Sequence, residues 1–181
     1  MRPYDYAQRQ GVRHISWEEF ARLARQLAER LEPEGPQAIV GIARAGLFPA
    51  TAVACALRLD LYPARITRRE RDVVTRRSPV WKLPVPAEVA GQVVAVVDEI
   101  ADTSETLALV ADAARAAGAA RVLTAALVAH TWADPMPGVA ALVSDELIVF
   151  PWDEVVLVDG RWLPHPEILA AIEAQERGSG A

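Results

Sequence analysis

The amino-acid sequence predicts an α/β fold in which a mainly parallel, twisted sheet carries helices on both faces. Strand-like and helix-like patterns alternate from residue 16 to about residue 130, as in a series of strand–helix units. Two strand-like segments, 38–42 and 93–97, contain no polar side chain, which is typical of parallel strands buried on both faces. The length of 181 residues and the 52% hydrophobic content suit a single domain over residues 1–181.

The first half of the chain is predicted to contain an arm and then alternating helices and strands. Residues 1–14 form the predicted N-terminal arm. Ser16 is expected to cap the first helix, with Glu19 completing a capping box, and Gly35 before Pro36 ends that helix. The elements predicted next are a strand at 38–42, a helix at 48–59 and a short strand at 59–66.

The second half of the chain is predicted to continue this alternation. A helix is expected at 107–117, and Gly118 ends it because glycine is a common helix stop. The strands predicted after it are 122–129, 140–143 and 147–150, and the last helix is predicted at 166–176. Residues 177–181 form a predicted flexible tail.

Charge and composition exclude several classes of protein. The formal net charge of −5 argues against nucleic acid as a partner. The single cysteine, Cys55, excludes a disulfide framework and favours a reducing compartment. Because no apolar run reaches membrane-spanning length and residues 1–5 lack a signal-peptide core, we expect a soluble, cytoplasmic protein with no membrane partner.

The segment from Val93 to Leu107 is predicted to carry the chemistry. An apolar strand over 93–97 is followed at once by Asp98 and Glu99, and a helix is expected to begin near Leu107. Open α/β folds bind ligands at the carboxyl edge of their parallel strands. The two carboxylates are therefore expected to project from a rigid strand end at that edge.

Asp102 opens a polar run that precedes this helix. The residues that offer hydroxyl groups and backbone N–H groups at its N-terminus are Thr103, Ser104, Glu105 and Thr106. Helix N-termini bind anions, so a ligand with a phosphate here and a vicinal diol at Asp98 and Glu99 would fit. The alternative is that the run only caps the helix, with Glu105 three positions after Asp102 as in a capping box.

Two arginine-containing segments are further candidates for anion binding. Arg44, Ala45 and Gly46 form a turn between the strand at 38–42 and the next helix, which is a weak motif by itself. Segment 67–79 contains five arginines. Such a run is usually a solvated face. The alternative is a mobile lid, because arginine forks suit phosphate oxygens.

Together these segments resemble the type I phosphoribosyltransferases. Their phosphoribosyl-pyrophosphate signature has four apolar residues, two acids, two apolar residues and then Asp-Thr-Gly-x-Thr, and Ser104 stands at its usual glycine. Arg44-Ala45-Gly46 resembles the pyrophosphate loop, usually Arg-Gly-Gly. Segment 144–153, which ends in Pro-Trp-Asp, resembles the hood of the xanthine-guanine and hypoxanthine enzymes, so the resemblance implies a small hood over about 130–165.

The resemblance implies transfer of a ribosyl phosphate from phosphoribosyl pyrophosphate to a 6-oxopurine, with pyrophosphate leaving. Asp102 would be the general base. Magnesium would be held by Asp98, Glu99 and Asp153, with the first two also holding the ribose diol. The 5′-phosphate would lie against Thr103, Ser104, Glu105 and Thr106, and pyrophosphate against Arg44, Ala45 and Gly46.

The resemblance also places three residues at the purine base. His130 stands where a lysine usually contacts the 6-oxo group, Leu147 stands where an aromatic residue usually stacks, and Ile148 follows it. As alternatives, His130 is a turn residue without a ligand and Leu147 belongs to the core. We also expect a homo-oligomer, a dimer.

A second class of function stays open at this point. Some proteins of this fold are regulators that bind the ligand without turnover, although these usually need a basic surface for nucleic acid. The third interpretation is a binding module that has lost turnover, suggested by Ala45, Ser104, His130 and Leu147 together.

Overall fold

The computed structural model of the protein describes residues 9, 11–67, 69–70, 73–74 and 79–178. Most of the predicted arm and residues 179–181 of the predicted tail lie outside these residues, while 177–178 belong to the last helix. The side chains of the arginine run 68–77 also lie outside, so the lid stays a prediction. No helix in the described part of the chain is long and apolar enough to cross a membrane.

The described residues form strands and α-helices in mixed order. The helices are α1 (Trp17–Leu31), α2 (Leu47–Leu57), α3 (Glu105–Ala116) and α4 (Pro166–Gly178). The strands are β1 (Val12–His14), β2 (Ala38–Ile42), β3 (Asp60–Thr67), β4 (Arg69–Glu70), β5 (Val73–Val74), β6 (Val80–Leu83), β7 (Val93–Ala101), β8 (Arg121–Ala129), β9 (Val139–Val143), β10 (Leu147–Val149), β11 (Val155–Val158) and β12 (Arg161–Pro164).

The central sheet has the strand order β6-β3-β2-β7-β8-β9. Strands β3, β2, β7, β8 and β9 pair in parallel, and β6 pairs with β3 in the antiparallel direction. The prediction of a mainly parallel sheet is confirmed.

The register of the sheet brings the ends of β2 and β7 to one edge. Gly41 of β2 lies opposite Val97 of β7, so Ile42 is level with Asp98. On the other side of β7, Ala101 lies opposite Ala129, the last residue of β8. The turns that follow β2, β7 and β8 therefore leave the sheet from the same edge, as the connectivity of parallel strands requires.

Helices α2 and α3 cover opposite faces of this sheet. Val40 and Ile42 of β2 belong to the same buried cluster as the apolar face of α3. A Cβ added to Gly41, between them, would lie 2.7 Å from Ala50 and 2.8 Å from Leu47 of α2. Because side chains alternate along a strand, the two helices lie on different faces, and the predicted layers are confirmed.

The chain divides into two compact units. The larger unit runs from Ala21 to Ser144 and contains the central sheet. The smaller contains the described residues up to Phe20 and those from Asp145 onward, including the parallel pair β1–β10 and the hairpin β11–β12. The β1 strand falls within the segment predicted as an arm, and the sequence interpretation also missed the hairpin.

The boundaries of two elements bear directly on function. The Ser16 hydroxyl accepts a hydrogen bond from the Glu19 N–H at 3.1 Å, so the predicted cap of α1 is confirmed. Strand β7 does not stop at Val97 but continues to Ala101. The expectation that Asp98 and Glu99 project beyond the strand end is wrong, because both acids lie inside β7 and Asp98 pairs with Ala126 of β8.

Candidate functional site

Asp98 packs against the turn that follows β2. Gly46 is buried in this turn, and a Cβ added to it would lie 2.6 Å from Asp98 Oδ1 and 2.6 Å from the Ile42 carbonyl oxygen. Real Cβ contacts are longer than 3.0 Å, so glycine is the residue that fits here. Two segments that are separated by 52 residues in the sequence are thereby in direct contact, as the prediction of one site requires.

The Asp98 carboxyl group is buried, whereas Glu99 is partly exposed. Asp98 is 8% exposed, and its Oδ1 accepts a hydrogen bond from the Glu99 backbone N–H at 3.0 Å. Burial raises the pKa of Asp98 well above its ordinary value, and the neighbouring Glu99 carboxylate raises it further. A buried acid with a raised pKa beside a second acid is suited to a cationic or hydrogen-bond-donating ligand.

The turn after β7 delivers the next group of predicted residues. Ser104 has a φ of 60°, in the left-handed region, and is the N-cap residue of α3. The capping-box alternative, with Asp102 as the cap, is therefore wrong. Thr103, Glu105 and Thr106 are exposed around the N-terminus of α3, where a phosphate would meet backbone N–H groups.

The Ser104 side chain differs from its exposed neighbours. Ser104 is 4% exposed, and among the described residues its buried Oγ has no hydrogen-bond partner. A buried hydroxyl without a partner is rare in proteins and costs free energy. The polar atom therefore indicates a ligand-binding position at the start of α3.

Asp102 contacts a tryptophan that the sequence interpretation did not single out. The Trp132 indole N–H donates to Asp102 Oδ1 at 3.1 Å, and the Asp102 side chain is 24% exposed. Trp132 lies in the turn after β8, the neighbour of β7. The sequence contained a usable signal, since residues that follow adjacent parallel strands meet at the same sheet edge.

His130 is buried beside this pair. Its side chain is 0% exposed, its Nδ1 lies 2.5 Å from the Ser144 carbonyl oxygen, and its Nε2 lies 4.0 Å from Asp102 Oδ1. The His130 ring stacks on Trp132 with centroids 4.4 Å apart. The predicted contact of His130 with a 6-oxo group and the alternative of a turn residue without a ligand both stay predictions.

The remaining predicted site residues belong to the smaller unit. Leu147 and Ile148 are buried in β10, at 1% and 6% exposure, and Asp153 is partly exposed after that strand. Burial of Leu147 agrees with the alternative that it belongs to the core. Its contact with a base, that of Ile148 and the metal role of Asp153 stay predictions.

The turn after β2 also presents the predicted pyrophosphate residues. Arg44 is exposed and Ala45 is partly exposed, next to the buried Gly46. An exposed guanidinium beside backbone N–H groups can bind phosphate oxygens by fork-like hydrogen bonds. The larger unit therefore contains Arg44–Gly46, Asp98, Glu99, Asp102–Thr106 and His130 from the predicted set.

Comparisons with known proteins show the family of this chain. A family model of the phosphoribosyl transferase domain matches residues 13–158. The xanthine-guanine phosphoribosyltransferase of Cereibacter sphaeroides is 31% identical over 157 residues, covering 77% of this chain and 86% of that protein. The enzyme of the same name from Nitratidesulfovibrio vulgaris is 31% identical over 150 residues, with 78% and 85% covered.

Solved structures show the same fold. A purine phosphoribosyltransferase from Pyrococcus horikoshii has a TM-score of 0.73 and 27% identity, covering 84% of this chain and 100% of that one. A xanthine-guanine-hypoxanthine phosphoribosyltransferase from Helicobacter pylori has a TM-score of 0.67 at 22% identity, covering 78% and 93%. The chain belongs to the phosphoribosyl transferase domain family, and the predicted family is confirmed.

Proposed function

We propose that the protein transfers the 5-phosphoribosyl group from phosphoribosyl pyrophosphate to a 6-oxopurine base and releases pyrophosphate, as in purine salvage. The contact between the Arg44–Gly46 turn and Asp98 carries this proposal. It brings an exposed arginine for the pyrophosphate next to the carboxylates for the ribose diol. The names of the related xanthine-guanine enzymes support a 6-oxopurine as the acceptor.

The proposed transfer depends mainly on positioning. A transition state that resembles an oxocarbenium ion needs little covalent chemistry from the protein, so orientation and charge stabilisation dominate. Asp98 and Glu99 hold the ribose hydroxyls. The N-terminal turn of α3, with Thr103 and Thr106 exposed and the Ser104 hydroxyl unpaired among the described residues, holds the 5′-phosphate.

Asp102 is the proposed general base. Its carboxylate is partly exposed and stands between the phosphate-binding turn and the indole N–H of Trp132. A carboxylate in this position can accept the proton that the purine nitrogen loses when its bond to the ribose forms. The hydrogen bond from Trp132 holds this carboxylate in place.

Magnesium is the proposed cofactor, and the residues fit it. Magnesium binds through one or two carboxylates together with substrate oxygens, and Asp98 with Glu99 supplies such a donor set. No cluster of three or more histidine, cysteine, aspartate or glutamate side chains is found among the described residues, which agrees with a metal that needs its substrate. When bound, magnesium neutralises charge on the pyrophosphate.

Leu147 and Ile148 are the proposed apolar contacts of the base. Asp153 is the proposed further metal ligand. His130 has no exposed surface, so its proposed donation to the 6-oxo group requires a shift of the turn after β8. A cytoplasmic location and a homodimer complete the proposal, and the mass of the protein in solution tests the dimer.

The experiment that tests the function is an assay with a panel of bases. The protein is incubated with magnesium, phosphoribosyl pyrophosphate and guanine, xanthine, hypoxanthine or adenine, and nucleotide and pyrophosphate are quantified. We expect equal amounts of the two products with at least one 6-oxopurine, and none after Asp102→Asn or without magnesium. Calorimetric binding of phosphoribosyl pyrophosphate without nucleotide from any base would contradict the proposal and favour a ligand-binding regulator.

A further inference from the structure

We infer that Trp132 is a positioning residue that fixes the orientation of the Asp102 carboxylate. This inference rests on the proposed function, in which Asp102 is the general base. The direct observation is the hydrogen bond from the Trp132 indole N–H to Asp102 Oδ1 at 3.1 Å. Indole has one polar hydrogen and no acceptor, so its direction of donation is fixed.

The Trp132 ring is held in place by its contact with His130. The two rings stack with an interplanar angle of 18° and a centroid separation of 4.4 Å. The Ala133 backbone N–H donates to the His130 carbonyl oxygen at 3.1 Å, which closes the turn that carries Trp132. Trp132 is partly buried, so the stacked face restricts its ring while the N–H points to Asp102.

His130 is in turn fixed to the central sheet. Its backbone N–H donates to the Ala101 carbonyl oxygen at 3.1 Å, at the end of β7. Its Nδ1 lies 2.5 Å from the Ser144 carbonyl oxygen, and the Ser144 N–H donates to the Ala129 carbonyl oxygen at 3.1 Å. Because a carbonyl oxygen can only accept, Nδ1 must carry the proton in this contact.

This chain of contacts connects a rigid sheet edge to a side chain in a turn. The Ser144 carbonyl oxygen contacts His130, and the His130 ring stacks on Trp132. The Trp132 indole N–H donates to Asp102. His130 is also a titratable group that faces Asp102, with its Nε2 4.0 Å from Oδ1. The buried His130 ring therefore supports the position of the Trp132 ring on which it stacks.

One consequence follows for Asp102 when Trp132 positions it. The carboxylate is held in one orientation, which favours proton transfer along one direction. A residue that served only to fill space would not fix this direction.

The test uses Trp132→Phe, which keeps an aromatic ring on His130 and removes the N–H donor. Trp162→Phe is the matched control, because Trp162 is 68% exposed in the β11–β12 hairpin. We expect kcat to fall roughly 5- to 20-fold in Trp132→Phe, since the carboxylate is no longer held in one orientation. KM for phosphoribosyl pyrophosphate should stay within about twofold. Trp162→Phe should match the wild type in both quantities.

A second measurement detects the hydrogen bond between Trp132 and Asp102 without an activity assay. The indole N–H resonance of Trp132 is assigned in the nitrogen-15 spectrum by its loss in Trp132→Phe. It should move in Asp102→Asn relative to the wild type, and it should stay in place in Asp112→Asn, which changes an exposed carboxylate of α3. Agreement of both experiments supports the inference. Unchanged kcat in Trp132→Phe, or a Trp132 resonance that stays in place in Asp102→Asn, would overturn it. If the wild type binds phosphoribosyl pyrophosphate but forms no nucleotide, the proposed function is rejected. The resonance measurement then still tests the contact between Trp132 and Asp102.

Discussion

Two turns at the same sheet edge are both tightly constrained in their backbone, but they contain different residues at the constrained position. The turn after β2 contains Gly46, where a Cβ would overlap Asp98 and the Ile42 carbonyl group. The turn after β7 contains Ser104 at a φ of 60°, a conformation that favours glycine but admits other residues at a modest cost. Glycine is therefore required by contact in the first turn and only preferred by conformation in the second.

This difference explains which departures from the family pattern the chain tolerates. Ser104 replaces the usual glycine of the signature, and its hydroxyl is buried without a partner among the described residues. Ala45 replaces a glycine at a partly exposed position of the other turn. Gly46, next to it, stays glycine because Asp98 fills the space that a side chain would need.

The largest effect is expected from Gly46→Ala. The added methyl group would displace Asp98 or the backbone of Ile42, so the pyrophosphate turn and the diol-binding acid both move. We expect affinity for phosphoribosyl pyrophosphate to fall by a factor of about 30 or more, and stability to fall by about 1–3 kcal/mol, as in overpacked sites. Calorimetric titration and thermal melting measure the two effects.

Gly138→Ala provides the control for this substitution. A Cβ there would have its nearest contact at 3.4 Å, from the Thr124 carbonyl oxygen, and Gly138 lies outside the proposed site. Its affinity for phosphoribosyl pyrophosphate should match the wild type. Equal affinity in Gly46→Ala would show that the contact with Asp98 does not matter for the site.

Asp98→Asn is expected to have a smaller effect, which raises stability but lowers ligand affinity. The raised pKa means that the folded protein holds the Asp98 proton more tightly than the unfolded chain does, so stability falls as pH rises from about 4 through the folded-state pKa. Asn cannot ionise, so the variant does not lose stability over this pH range. Each unit by which the pKa is raised in the folded protein corresponds to about 1.4 kcal/mol of folding free energy. We expect Asp98→Asn to melt at a higher temperature than the wild type near neutral pH and at a similar temperature near pH 4.

The same substitution should lower affinity for phosphoribosyl pyrophosphate by about tenfold, because in the proposed site the ionised carboxylate holds the diol and magnesium. Asp112→Asn is the control for the loss of an exposed carboxylate, since Asp112 pairs only at the surface with Arg115 at 2.6 Å. It should change stability by less than about 1 kcal/mol. A lower melting temperature for Asp98→Asn at neutral pH would contradict the destabilisation that we assign to burial of the Asp98 carboxylate.

The smallest effects are expected at Ser104, where two substitutions separate conformation from hydrogen bonding. Ser104→Ala keeps a Cβ at positive φ and removes the hydroxyl, so phosphate affinity should fall about 3- to 10-fold if Oγ donates to the ligand. Ser104→Gly removes both the hydroxyl and the left-handed cost, and should melt higher than Ser104→Ala. Equal binding by all three proteins would show that the buried hydroxyl has no ligand.

Local patterns predicted the sheet and most of the site. The cap of α1, strand β2 and the acids of β7 are encoded within short segments, so they are visible in sequence. Strand β1 was missed because its partner β10 lies more than 130 residues away. The β11–β12 hairpin was missed although Asp159-Gly160, with φ of 48° and 76°, is a recognised hairpin turn.

Contacts between distant turns were the least predictable part of the site. Nothing local to Trp132 indicates Asp102, and the contact follows only from the adjacency of β7 and β8. Burial of Leu147 could not be predicted either, because an apolar residue in a strand is compatible with both a core and a binding surface. Family resemblance supplied a role for each position, but not its exposure.

The most direct test of the site is separate binding of the two halves of phosphoribosyl pyrophosphate. Pyrophosphate and ribose 5-phosphate are titrated calorimetrically, with magnesium, into the wild type, Arg44→Ala and Ser104→Ala. If the turn after β2 binds one end of the ligand and the turn after β7 the other, Arg44→Ala weakens pyrophosphate at least about tenfold and leaves ribose 5-phosphate within about twofold, and Ser104→Ala does the reverse to a smaller degree. Equal losses for both ligands in both variants, or no loss in either, would contradict a single site built from these two turns.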